Sequence, residues 1–123
     1  MCKILLSINP EHVNNILNGN KIYEFRKTSA KMPVDKLFIY CTKPVKKVVG
    51  FAEVSEIING NPEEVWDKTK NGAGISKKFY DDYYLGRNKA VAYKLKKVNA
   101  FKEPKDLSYY GIHNAPQSYV YID

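Results

Sequence analysis

Gly19-Asn20-Lys21-Ile22-Tyr23-Glu24-Phe25-Arg26 is the stretch of this 123-residue chain that indicates most about its fold and its chemistry. A turn-forming glycine leads into a strand in which charged and apolar side chains alternate. Because successive side chains of a strand point to opposite faces, Tyr23 and Phe25 share one face. Glu24 and Arg26 lie side by side on the other face. The stretch therefore predicts a strand that carries an ion pair on one side and aromatic rings on the other.

Two interpretations of these charges are open. Glu24 and Arg26 can form an ordinary surface pair, which contributes only ~0–1 kcal/mol to stability, and the spacing alone slightly favours this interpretation. Alternatively, Lys21 joins them to line a cleft that holds a polar ligand, anionic or similar to a nucleobase. Lys21 stands at the start of the strand and can turn to either face.

Composition favours an attraction to polyanions. The chain contains 20 Lys and Arg residues against 13 Asp and Glu residues, which gives a net charge of +7 and a pI near 9.3. A basic surface attracts nucleic acid, and the ten tyrosines can stack on unpaired bases. The length predicts a single domain over residues 1–123 that buries about two thirds of its unfolded surface.

Hydrophobic periodicity predicts an α+β fold. The predicted strands are 3–8, 21–27, 37–41, 47–57, 89–98 and the last part of 115–122. Asn-Pro-acid sequences at Asn9 and Asn61 each begin a short helix, and Ser76 caps a third that runs through Leu85. Short connections between strands favour a mixed, mostly antiparallel sheet that curls into a small barrel, with the helices at its ends.

Two further sets of charged residues are candidates for a site. Glu53 falls in the middle of a predicted strand on the same face as Phe51, where it either reaches water or is buried beside a cation such as Lys21 or Arg26. Lys94 and Lys96 alternate with apolar residues on strand 89–98 and form the best basic stripe of the sequence. The Asn71–Gly74 segment is expected to be a flexible loop. The aromatic residues of the third helix, Phe79, Tyr80, Tyr83 and Tyr84, are expected to be core rather than a platform on which bases stack.

The sequence predicts neither a metal site nor a cofactor. His12 and His113 are far apart, and no Cys or His pair has the spacing of a zinc site. Cys2 and Cys41 are expected to be reduced thiols. No signal-peptide pattern is present, and no apolar run approaches the ~18 residues of a membrane span. We therefore expect a cytoplasmic protein without a membrane partner.

Gly19, Lys21, Glu24 and Arg26 match the signature G-x-K-x-x-E-x-R of the ASCH domain family without departure. In this respect, and in its flanking helix and strands, the chain resembles members of this family, which lies in the PUA-like superfamily of small β-barrels. The resemblance implies a cleft beside the barrel that binds RNA or a modified nucleobase. The resemblance covers nearly the whole chain.

The resemblance also implies possible enzymatic activity. One bacterial branch removes the acetyl group of N4-acetylcytidine with a Lys, a Thr and a Glu, and other relatives are described as ribonucleases. Lys21 matches the Lys and Glu53 is the best match to the Glu, but Glu24 occupies the position of the Thr. A carboxylate is a far rarer acyl acceptor than an activated hydroxyl, so this departure argues against the same acetyl-cytidine chemistry.

Three functional hypotheses follow. The first is a module that binds single-stranded RNA or a modified nucleotide; its predicted ligand-binding residues are Gly19, Lys21, Glu24, Arg26, Glu53, Lys94 and Lys96. The second is a small hydrolase of a modified nucleoside or of RNA, with Lys21, Glu24 and Glu53 as candidate catalytic residues, Glu53 being the general base that activates water. The third is a protein-interaction domain with a role in the regulation of transcription or translation.

Overall fold

One mixed six-stranded sheet carries the fold in the computed structural model, which describes residues 2–122. The strands are β1 (Lys3–Ile8), β2 (Tyr23–Arg26), β3 (Lys36–Cys41), β4 (Lys47–Gly60), β5 (Ala90–Lys105) and β6 (Tyr119–Ile122). Their order across the sheet is β2-β5-β4-β3-β1-β6, in which β1 and β3 are parallel and the other neighbours are antiparallel. The sheet curves into a half-barrel with three helices, which confirms the predicted α+β class.

The helices begin where the sequence predicts them. They are α1 (Pro10–Leu17), α2 (Pro62–Thr69) and α3 (Lys77–Tyr83). The Asn9 side chain accepts a hydrogen bond from the Glu11 amide, and Asn61 forms a reciprocal capping box with Glu64, so both Asn-Pro starts satisfy amides that a helix leaves free. Ser76 caps α3 by accepting from the Phe79 amide. The third helix ends at Tyr83, two residues before the predicted end.

The long strand β5 contributes to two cores. Val91, Tyr93 and Leu95 of β5 pack into a core with β1 and α1, while Ala92 packs into a second core with α2 and α3. Tyr23 and Phe25 of β2 lie in this second core, as their shared face predicts. The opposite face of β2, which carries Glu24 and Arg26, is thereby directed toward α1 and the end of β1.

The two long strands extend beyond their predicted ends. β4 continues to Gly60, and β5 continues through Pro104 to Lys105. Their pairing contains register irregularities, one of them between Phe51 and Glu53, which interrupt the strict alternation of faces. Cys2 and Cys41 are free thiols. No helix within residues 2–122 combines the length and the apolar character that a membrane crossing requires.

Candidate functional site

The strand that carries the signature is held in place from three sides. Among the strands of residues 2–122, β2 lies at an edge of the sheet and pairs with β5 alone. The Ile22 amide just before it donates to the Gly72 carbonyl at 2.9 Å. At its other end the Tyr84 hydroxyl of the third-helix cap donates to the Arg26 carbonyl at 2.8 Å. A four-residue edge strand is thus fixed at both ends by segments that are distant in sequence.

A cavity of about 190 Å³ lies against the charged face of β2. It is bounded by the end of β1, the start of α1, β2 and α3. The polar residues of its wall are Ser7, Asn9, His12, Lys21, Glu24 and Arg26, and the apolar and aromatic ones are Ile8, Phe25, Ile75, Phe79 and Tyr83. Lys21, Glu24 and Arg26 therefore line one concave site, which is the arrangement of the cleft interpretation rather than of a surface pair.

Lys21 is one of the most deeply buried charged groups of the described chain, with 2% of its surface exposed. Its ammonium donates to the Ala73 carbonyl at 3.1 Å and lies 4.6 Å from the centre of the Phe25 ring. Burial lowers the pKa of Lys21; the charge of Glu24 opposes this shift, and that of Arg26 adds to it. An ammonium group has three donors, so this cation keeps donor capacity for a ligand in the cavity.

The segment that covers Lys21 is the one predicted to be a flexible loop. Gly74 has a φ of +69°, and a Cβ at this position would lie 2.7 Å from both Cα and Cγ of Lys21. A Cβ at Gly72 would likewise collide with the side chain of Ile22. The two glycines let the backbone approach so closely that the Ala73 carbonyl reaches the buried ammonium. The Gly-x-Gly spacing was the sequence signal for this close approach, and the structure places a 3₁₀ turn at Lys70–Gly72 where the sequence predicts a loop.

Glu24 and Arg26 form a tight pair beside Lys21. Glu24 is 6% exposed, and its Oε2 lies 2.9 Å from Nη2 and 3.1 Å from Nε of Arg26. Nη2 of Arg26 also donates to the Ser7 carbonyl at 2.8 Å. Within residues 2–122 no hydrogen bond engages Oε1 of Glu24 or Nη1 of Arg26, which leaves one acceptor oxygen and the two N–H groups of Nη1 for a ligand.

Sequence reasoning missed the opposite wall of the cavity. The rings of His12 of α1 and Phe79 lie edge to face with centroids 5.1 Å apart, and Nδ1 of His12 is buried without a hydrogen-bond partner within residues 2–122. Burial lowers the pKa of His12, and the positive charge of Lys21 adds to the effect. A histidine three residues after an N-cap faces back toward the strand that precedes the helix, and this position was the available signal.

The aromatic residues of α3 and its C-cap divide between two environments. Tyr80 and Tyr84 are buried in the second core, as predicted. Phe79 and Tyr83 instead line the cavity, and Phe79 keeps 46% of its surface exposed. Burial raises the pKa of Tyr83, which keeps its hydroxyl protonated at neutral pH. The i, i+4 spacing identified both pairs but could not show which pair faces the core.

Gly19 lies next to the site but not in its wall. It has a φ of +87° and follows the last turn of α1. There it reverses the chain, and the Lys21 amide then donates to the Asn15 carbonyl at 2.9 Å. Only a residue that tolerates the left-handed region fits here easily. Gly19 therefore positions Lys21.

The structure does not bring Glu53, Lys94 or Lys96 to the cavity. Glu53 is half-buried on β4 between its register partners Lys36 and Lys96, so the expectation that it meets Lys21 or Arg26 is wrong. Lys94 lies opposite Tyr23 and lines a separate shallow groove, and Lys96 is exposed. The register irregularity beside Glu53 and the strand order, neither of which the sequence reveals, decide this placement. Among the described residues no group of three His, Cys, Asp or Glu side chains is placed to hold a metal ion.

Comparison with known proteins identifies the family. The family model described as "ASCH domain" matches residues 6–104, which include every predicted site residue. The chain belongs to the ASCH domain family.

Curated relatives are longer than this chain. "ASCH domain-containing ribonuclease" of Zymomonas mobilis is 34% identical over 96 residues, which are 75% of this chain and 63% of the relative. "Large ribosomal subunit protein uL22" of Ureaplasma parvum is 34% identical over 120 residues, 97% of this chain but 39% of the relative. "ATP synthase subunit alpha" of the same species is 30% identical over 97% of this chain and 15% of the relative. The chain thus matches only part of each of them.

Solved structures agree with the family assignment. The crystal structure of ASCH from Zymomonas mobilis superimposes with a TM-score of 0.88 at 29% identity and covers 98% of this chain and 87% of its own. The N-terminal domain of McrB from Staphylothermus marinus has a TM-score of 0.54 at 12% identity, which shows a likeness of fold alone.

Proposed function

We propose that this ASCH domain binds single-stranded RNA and holds one nucleotide in the cavity beside β2. The observation that carries the proposal is that the buried Lys21 and Glu24 and the half-buried Arg26 converge on one concave site with a net charge of +1. Such a cluster is costly to desolvate and serves no packing need that apolar residues could not meet. Buried charged groups of this kind are typical of functional sites.

The chemistry of the wall matches the parts of a nucleotide. Lys21 and Arg26 can donate to a phosphate oxygen or a base carbonyl, and the free oxygen of Glu24 can accept from an exocyclic amino group. Phe79 and Tyr83 offer rings on which an unstacked base can lie. A single-stranded partner is favoured because a base in a helix cannot enter a cavity of this size. The Zymomonas relative that is named a ribonuclease supports RNA over other polyanions.

Binding of a fluorescent ribo-oligonucleotide tests the proposal. Lys21→Met and Lys96→Gln each remove one positive charge, the first at the cavity and the second on the exposed stripe. We expect Lys21→Met to weaken binding at least tenfold, because a hydrogen bond to a charged group contributes about 1.5–3 kcal/mol. Lys96→Gln should change affinity less than twofold.

Salt dependence supplies the control for this comparison. Each lost phosphate contact reduces the slope of log K against log salt by about 0.7 for a single strand. If both variants weaken binding equally, the attraction comes from net charge and the cavity is not the binding site. RNA binding that is absent or insensitive to salt would also contradict the proposal.

RNA cleavage is a second candidate, favoured by one observation. His12 and Lys21, the two groups of the cavity whose pKa values are lowered, face the same space as the proposed nucleotide. A neutral His12 can take the proton of a ribose 2′-hydroxyl, whose oxygen then attacks the adjacent phosphorus while the 5′-oxygen leaves with a proton from water. Lys21 would stabilise the charge on the phosphoryl oxygens. The products would be a 2′,3′-cyclic phosphate and a 5′-hydroxyl end.

His12→Asn, with His113→Asn as a matched change at an exposed position, separates cleavage from binding. Cleavage by His12 predicts that His12→Asn abolishes product formation and leaves affinity within about threefold, while His113→Asn retains both. Absence of a cyclic phosphate product in the unmodified protein would restrict the function to binding. Glu53 has no part in this scheme because it lies outside the cavity.

A further inference from the structure

A second concavity of about 600 Å³ adjoins the cavity at the end of β2. It lies where β2, the end of β4 and the start of β5 meet. We call it the strand-end groove; its polar lining residues are Lys27, Thr28, Ser29, Asn59, Asn88 and Lys89. None of the described residues that line it is acidic. By contrast, the groove that includes α2 and the start of α3 contains Glu63, Asp67 and Asp81.

Tyr83 joins the cavity to the strand-end groove. Its ring lines the cavity, and the Lys27 ammonium of the groove lies 4.7 Å from the ring centre. Arg26, which directly precedes Lys27 in the chain, lines the cavity. The contact between Lys27 and Tyr83 therefore links the wall of the cavity to the strand-end groove, and a ligand that passes Tyr83 meets the Lys27 ammonium.

The two lysines of the groove are free to bind an anion. Within residues 2–122 neither Lys27 nor Lys89 forms an ion pair. Contact with the Tyr83 ring holds Lys27 in place without neutralising its charge. Asn59 and Asn88 add amide donors that suit phosphate oxygens. The groove thus combines positive charge, donors and lack of carboxylates.

We propose that the strand-end groove binds the phosphate of the nucleotide adjacent to the one held in the cavity. This inference rests on the proposed function and gives it a direction: the RNA strand runs from the cavity past Tyr83 to Lys27 and Lys89. The ligand is therefore a chain of at least two nucleotides and not a free nucleoside. Lys27 and Lys89 contribute affinity that depends on chain length.

The test compares ribonucleoside 5′-monophosphates with a single-stranded octaribonucleotide as ligands. The variants are Lys27→Gln/Lys89→Gln, Lys21→Met, and the charge-matched control Lys43→Gln/Lys102→Gln, in which both lysines are exposed and lie outside the lining of both concavities. We expect the groove variant to lose about tenfold in affinity for the octanucleotide and about 0.7 of salt slope, with less than a twofold change for the monophosphates. The control should stay within threefold for both ligands.

The outcomes separate the two proposals. If Lys21→Met weakens both ligands but the groove variant behaves as the control, the cavity stands and the groove inference is overturned. Equal weakening of the monophosphates and the octanucleotide by the groove variant also overturns it, because the groove would then hold the phosphate of the cavity nucleotide itself. If Lys21→Met affects neither ligand, the proposed function fails and the groove inference fails with it.

Discussion

The neighbouring strands β2 and β5 place their charged side chains in opposite environments. β2 pairs with β5 from Tyr23 opposite Lys94 to Arg26 opposite Val91. The charges of β2 are turned into a cavity, where Glu24 is 6% exposed. Those of β5 stand half-buried at Lys94 and exposed at Lys96.

The two environments suit different tasks, since exposed charges attract any polyanion, whereas buried charges can recognise a particular ligand. Exposed lysines raise the local concentration of any polyanion and are screened by salt. Buried and paired groups have fixed geometry and strong electrostatics, so they can distinguish one ligand from another. The lysines of β5 add to the net charge of +7, whereas the Glu24–Arg26 pair of β2 is neutral overall and lines the cavity.

Removal of a carboxylate from the cavity and of one from the half-buried surface of β4 should give the largest difference in stability. Glu24→Gln leaves the buried Lys21 and the half-buried Arg26 without their counter-charge, and we expect a loss of about 3 kcal/mol in the free energy of unfolding. Glu53→Gln makes the same chemical change on β4, beside Lys36 and Lys96, and should cost less than about 1 kcal/mol. Urea denaturation at pH 7 measures both. Similar losses would show that the cavity charges are no more buried than those of an ordinary surface pair.

Substitution of Gly74, whose backbone covers Lys21, should give the second-largest effect on stability. Gly74 and Gly86 both have positive φ, but a Cβ at Gly86 meets nothing within 4 Å, whereas one at Gly74 collides with Lys21. Alanine at either position costs about 1 kcal/mol of backbone strain, and Gly74→Ala should cost a further 1–3 kcal/mol because Lys21 must move. Only Gly74→Ala should also weaken RNA binding. Identical thermal and binding behaviour of the two variants would contradict the close approach.

Phe79 tests whether the cavity wall stacks on a base. Phe79→Ala should lower RNA affinity about fivefold, since stacking of a base contributes ~1–3 kcal/mol, with little change in stability because the ring is 46% exposed. Leu85→Ala, at a position that is 83% exposed and outside the cavity wall, should alter neither property. A large loss of stability without a loss of affinity would assign Phe79 to the core.

The pH dependence of stability that His12 causes should be the smallest of these effects. The pKa of His12 is lowered below 6.5 in the folded protein, so below 6.5 the unfolded chain binds the proton more readily and stability falls as pH decreases. The loss begins as pH drops through 6.5 and is complete below the folded pKa. His12→Asn should remove this component from a denaturation series between pH 7 and pH 4. His113→Asn should retain this pH dependence of stability. An unchanged pH profile in His12→Asn would mean that another group causes it.

The sequence predicts well what local chemistry determines. The Asn-Pro caps of α1 and α2, the shared face of Glu24 and Arg26, and the buried face of Val91, Tyr93 and Leu95 all follow from rules that act over a few residues. Residues 37–41 are apolar on both faces, a pattern typical of a central strand, and β3 lies between β4 and β1 in the sheet.

Features that depend on which elements become neighbours could not be predicted in this way. The position of Glu53 depends on strand order and on a register irregularity in β4. The role of Gly74 depends on contact with Lys21, which is distant in sequence. The role of His12 likewise depends on the packing of α1 and α3 beside β2, which local sequence rules do not predict.

An NMR titration of the isotope-labelled protein with a single-stranded ribo-oligonucleotide tests the central claim most directly, since it compares β2 and β5 in one sample. Specific binding in the cavity predicts that the largest chemical-shift changes occur at Lys21, Glu24 and Arg26 and extend to His12, and that they persist at 150 mM salt. Changes confined to Lys94, Lys96 and other exposed lysines, and lost at that salt concentration, would contradict it.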